Sequence, residues 1–107
     1  HLCDAERIFI YRALRFSRGD ETALPGFDEQ LFAKYARANE REAEDIMREF
    51  SRVRESSISF MESLNEEALE RKGMANYNPL TVGLLLNLVY GHHKHHINII
   101  HERYLKR

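Results

Sequence analysis

Between residues 43 and 64, apolar or small side chains recur three and four apart, at Ala43, Ile46, Phe50, Val53, Ser57, Phe60 and Leu64. That rhythm follows the turn of an α-helix, whereas a strand turns every second residue to the same face and would scatter these positions over both sides. The stretch is a long helix with one face to cover. Its other faces carry Glu40, Arg41, Glu42, Glu44, Asp45, Arg48 and Glu49, which reads as a solvated surface with ion pairs at i, i+4 spacing.

Two more helices of similar length flank it. From His1 to about Ser17, the side chains of Leu2, Ala5, Phe9, Ala13 and Phe16 keep helical spacing, and Gly19 closes the run. Pro25-Gly26 marks an exposed loop from Asp20 to Phe27, and Asp28 caps a short helical turn through Tyr35. Residues 65–77 are less regular, with a helical turn at Glu66–Glu70 before Gly73. Asn78-Pro79 then predicts a helix start, with Asn78 as N-cap and Pro79 at the first helical position. This last helix is expected to run from Pro79 to about Tyr104, and Leu84-Leu85-Leu86 requires burial on several sides.

No strand pattern and no repeat is visible, so the expected fold is all-α: one up-down helical bundle domain over residues 1–107. Three long helices are visible. The chain opens inside a helix, on His1 with no capping residue ahead of it, so residues are expected to precede it and to supply a fourth helix, unless a partner chain does.

Sixteen Lys and Arg against seventeen Asp and Glu give a net charge of -1, which leaves no electrostatic case for nucleic acid or a membrane surface. No apolar run reaches the roughly eighteen residues of a membrane span, and the start has no signal-peptide pattern. Cys3 is the single cysteine, which excludes an internal disulfide and suits a cytoplasmic setting. A lone helical cysteine is most simply a packing residue. The apolar stripes use more than one face of the helices, and a homodimer is expected.

Four of the six histidines crowd into Gly91-His92-His93-Lys94-His95-His96. At about 100° per residue, His92 and His96 project within about 40° of each other, and Leu85, Leu88 and Ile99 within about 40° of His92. The pair therefore sits in the apolar stripe. His95 lies at the stripe's edge, His93 is turned toward Ile97 and Ile100, and His101 faces the opposite way. Two inward imidazoles one turn apart can hold a metal ion, or can be core histidines bonded to each other and to water. A catalytic zinc-type site takes three protein ligands and leaves a position open. With His101 turned away, only His1 remains outside the cluster, on the side of its helix shared with Ala5 and Ile8; it is either a third ligand or a terminal residue in solvent.

The opening His1-Leu2-Cys3-Asp4-Ala5-Glu6-Arg7-Ile8-Phe9, the loop from Arg18-Gly19-Asp20 through Leu24-Pro25-Gly26-Phe27-Asp28, and the closing Gly91-His92-His93-Lys94-His95-His96-Ile97-Asn98-Ile99-Ile100 together resemble the DinB-like superfamily. These are metal-binding four-helix bundles that include bacillithiol-type S-transferases and mycothiol-dependent maleylpyruvate isomerases. The resemblance covers nearly the whole chain and implies that His1, His92 and His96 are the metal ligands. The family's first helix is not in this chain. The second position of the first motif reads Asp4-Ala5, which leaves a carboxylate role open between Asp4 and Glu6, and Asp4 and His95 are the candidates beside the ligands.

A three-His site with an open position suits a divalent metal, whether zinc, nickel, iron or manganese. Such a metal can lower the pKa of a low-molecular-weight thiol that then attacks an electrophilic small molecule, or activate water for hydrolysis. The resemblance favours thiol transfer. A non-enzymatic bundle with a structural metal is the remaining alternative, and no catalytic residue is assigned.

Overall fold

The computed structural model describes residues 2–89. Those residues are mostly helical, with a two-stranded sheet: α1 Leu2–Ser17, α2 Glu29–Ala36, a 3-10 turn Ala38–Glu40, α3 Ala43–Glu62, α4 Glu66–Glu70, β1 Lys72–Ala75 and β2 Asn78–Thr81, then a helix, α5, over 82–89.

The local signals for α1, α2 and α4 act as their chemistry predicts. α1 ends where Gly19 takes φ 80°, so that Gly19 N–H donates to Phe16 O and Asp20 N–H to Arg15 O, each at 3.0 Å. This is a Schellman closure, and the left-handed residue in it costs least as glycine. Asp28 Oδ1 accepts from Leu31 N–H at 3.0 Å and opens α2. Asn65 Oδ1 accepts from Ala68 N–H at 2.9 Å and opens α4. Each side-chain oxygen satisfies a backbone donor that a helix start leaves without an internal partner.

Two sequence expectations are corrected by the hairpin. Residues 72–81 hold strands, with Lys72 opposite Thr81 and Met74 opposite Pro79, so Asn78 and Pro79 lie in β2 and do not start a helix. The cap is Thr81, whose Oγ1 accepts from Leu84 N–H at 3.0 Å, and the helix begins at 82. The alternation is real but hard to see in sequence. Gly73 and Ala75 point inward while Met74 points out, and the inward side chains are small because the ring of Phe16 fills the space. A Cβ at Gly73 would run into that ring.

Asn76 and Tyr77 turn the hairpin with φ of 50° and 66°, the positive pair that a two-residue type I′ turn requires. Tyr77 is 94% exposed and packs on little. Tyr77→Gly removes a left-handed non-glycine residue worth roughly 1–2 kcal/mol, offset in part by the extra freedom of glycine in the unfolded chain, roughly 0.5–1 kcal/mol. A net gain of up to about 1 kcal/mol is expected in urea unfolding, and a loss would contradict the turn assignment.

The loop expected to be exposed is pinned at its centre. Leu24 N–H donates to Met74 O at 2.8 Å and Asn76 N–H to Leu24 O at 2.9 Å, which buries Leu24 against Ala75 in a parallel bridge. Arg12 reinforces it, reaching Pro25 O at 3.0 Å with its guanidinium near the rings of Phe9 and Phe27.

Leu24, Ala75, Ala13, Phe16, Val82, Leu85 and Leu86 form one core, with Phe60, Met61 and Leu64 of the α3 end packed on it. Nearer their N-termini α1 and α3 meet through Arg7–Glu49 and Glu6–Arg54. The two helices therefore run in the same direction, where adjacent helices of an up-down bundle would be antiparallel. The physical reason is the connection over 18–42, long enough to cross back along the molecule. α5 starts beside the C-terminal end of α1: Val82 N–H donates to Arg71 O at 2.8 Å, and Arg71 Nη1 donates to Ser17 O.

Asp20 follows from the α1 closure. The Thr22 backbone N–H and hydroxyl, and then Arg15, which donates from Nε at 2.7 Å, hold its carboxyl down at about 2. A depressed carboxylate stabilises the fold above its unfolded pKa of about 3.9, and that contribution is lost as the pH falls through about 2. A carboxyl titration by NMR is expected to put the Asp20 midpoint near 2; a midpoint near the unfolded value would remove these contacts.

Candidate functional site

Five histidines and one carboxylate carry the expectations. His1, His92, His95 and His96, together with His93, lie outside the described residues. Asp4 is described, in the first turn of α1. It is half-buried and lines a cleft of about 500 Å³ beneath α2, together with Cys3, Tyr35, Ile46, Arg41 and Glu49. Among the described residues no three His, Cys, Asp or Glu gather into a metal-binding group.

In that cleft Cys3 stays a thiol. Burial pushes its pKa up first, and the nearby Glu49 carboxylate adds to the effect. An activated cysteine needs the opposite environment, so the packing reading of Cys3 fits its surroundings.

Glu49 ties the walls together. It accepts from Arg41 Nη1 and from Arg7 Nη1, each at 2.6 Å, and these two bonds hold its carboxyl below the usual range. In place of the i, i+4 pairs expected on this surface, Glu49 is paired with residues outside α3, and the local pair is Asp45–Arg48 at i, i+3 spacing. A second groove, about 960 Å³, runs between α1 and α3 past Ile10, Tyr11, Leu14 and Phe60, with Arg48 and Arg52 on its rim.

One group that sequence reasoning passed over is the Glu6–Arg54 pair. Arg54 Nη2 donates to Glu6 Oε1 at 2.7 Å, and Glu6 is 4% exposed. Glu6 Oε2 and Arg54 Nε are also buried, and neither has a hydrogen-bond partner among the described residues. Glu6 lies three residues before Phe9 and seven before Ala13, so it falls on the inward stripe of α1. A charge inside an apolar stripe was the signal. Asp4, two residues earlier, is turned by about 200° from it, which is why only one of the two carboxylates enters the interior.

A buried carboxylate with one oxygen fixed and the other free is the kind of group that accompanies ligating histidines, whose second ring nitrogen donates to a carboxylate, a carbonyl or water. No helix among the described residues is long and apolar enough to cross a membrane.

No curated protein and no solved structure matches the chain. The family model for the DinB superfamily matches residues 1–100, which takes in the described helices, the hairpin and every histidine of the 92–96 cluster. The chain belongs to the DinB superfamily.

Proposed function

We propose that this protein is a divalent-metal-dependent enzyme of the DinB type that transfers a low-molecular-weight thiol to an electrophilic small molecule. The observation that carries the reading is the reach of the family match, from His1 to residue 100, which includes His1, His92 and His96.

In this reading α1, α3 and α5 are three helices of a four-helix bundle.

His1, His92 and His96 hold the metal, which when bound lowers the pKa of the thiol and so supplies thiolate at neutral pH. The carbon–sulfur bond forms as the bond from the electrophile to its leaving group breaks with its electron pair, and the thiol proton passes to solvent. The exposed Tyr11 and Leu14 in the α1–α3 groove support a homodimer, which light scattering would test. The reading as a whole is tested by supplying metal-loaded protein with low-molecular-weight thiols and a chromogenic electrophile. Metal-dependent thioether formation is expected, and release of hydrolysed electrophile with no thioether would contradict it.

A further inference from the structure

Buried charges are nearly always paired, and among the described residues α1 holds one without a counter-charge. Arg12 is 6% exposed, yet it forms no ion pair with any described carboxylate. Its one hydrogen bond there runs from Nη2 to Pro25 O, at 3.0 Å, and burial alone acts on its pKa, which it lowers. A guanidinium carries five N–H donors in a fixed fork, and the carbonyl uses one. Arg12 lines a groove of about 490 Å³ at the start of α2, together with Phe9 and Phe27, whose ring centres lie 5.9 and 6.0 Å from its Cζ. The opposite charge stands on the same groove, at Asp28 and Glu29. Asp28 gives Oδ1 to the α2 cap, and Glu29 has no side-chain partner among the described residues.

We propose that this groove binds a free α-amino acid with an apolar side chain: Arg12 takes the carboxylate, Asp28 and Glu29 take the ammonium, and Phe9 and Phe27 contact the side chain. The charges decide the class of ligand. A guanidinium with unused donors matches the two oxygens of a carboxylate, but two carboxylates on the same rim repel a ligand that is only an anion. A ligand that is only a cation would leave Arg12 without its counter-charge. A zwitterion answers both ends at once. The size agrees, because small-molecule sites run from roughly 300 to 1,000 Å³ with mostly apolar walls and a few placed polar groups. The loop contact does not explain the charge, since a neutral donor would serve Pro25 O at a lower desolvation cost. The site uses no histidine and is independent of the metal reading.

The test is an NMR titration of the whole chain with L-phenylalanine and L-leucine. Shifts centred on Phe9, Arg12 and Gln30, which lines the same groove, are expected, with a dissociation constant of about 1 mM or below. No shifts by about 10 mM of either amino acid would overturn the proposal. Two analogues separate the ends of the ligand. Phenylalanine amide lacks the carboxylate and N-acetylphenylalanine lacks the ammonium, and each is expected to bind at least about tenfold more weakly, the scale of one hydrogen bond to a charged group. Equal binding of either analogue would mean that the rings capture it without the charges, which also overturns the proposal. Arg12→Met is expected to abolish binding, and unchanged affinity in the folded variant counts against the site as decisively. If Arg12→Met does not fold, the analogue series on the parent decides alone.

Discussion

Phe16→Ala is expected to remove about 3–5 kcal/mol of stability. Phe16 is 1% exposed and lies at the point where α1, the hairpin and α5 converge. Its ring occupies the space left by the missing side chain of Gly73, so truncation opens a cavity that the stiff hairpin cannot readily close. For a chain of this size the melting temperature should fall by on the order of 15 °C or more, read by circular dichroism. A fall of only a few degrees would mean that the ring is not the keystone of this core. Val82 and Leu85, fully buried beside it, would lose their partner in the same variant, so the start of α5 should be the first segment to exchange its amide protons.

The second large effect belongs to the ion pair. Arg54→Met keeps an apolar stem and removes the charge, which leaves the Glu6 carboxylate buried without its partner. Breaking one side of a buried pair costs about 3–5 kcal/mol, whereas replacing both sides with neutral groups of similar volume is often close to neutral. The double variant Glu6→Gln with Arg54→Met is therefore expected to recover most of what Arg54→Met loses in urea unfolding. Equal losses in the single and double variants would show that the site stabilises by packing rather than by charge pairing.

How much of this was legible in the sequence follows from which forces fix each part. α1 and α3 could be read because a long apolar stripe admits one period, and the end of α1 and the start of α2 because Gly19 and Asp28 act through local backbone bonds. The hairpin could not, because its inward residues are Gly73 and Ala75, chosen by the ring of Phe16 far away in sequence. Asn78-Pro79 imitated a helix start because their strand role depends on pairing with Met74 and Ala75 across a turn, Asn76-Tyr77, that has no glycine to mark it. The common direction of α1 and α3 is likewise a property of the long connection.

The candidate site divides in the same way. Spacing alone singled out His92 and His96, and family resemblance added His1. The Glu6–Arg54 contact joins residues 48 apart and needs the fold to be seen, although Glu6 stood on the inward stripe of α1 all along. Asp4, drawn in by its nearness to His1, is turned toward α2.

The most direct test of the account is the metal content of protein purified without a histidine tag, measured beside His96→Ala. Near one equivalent of divalent metal in the parent and little in the variant is the predicted result. No metal in either, even after exposure to zinc, nickel, iron and manganese, would contradict the metal site and with it the enzymatic reading.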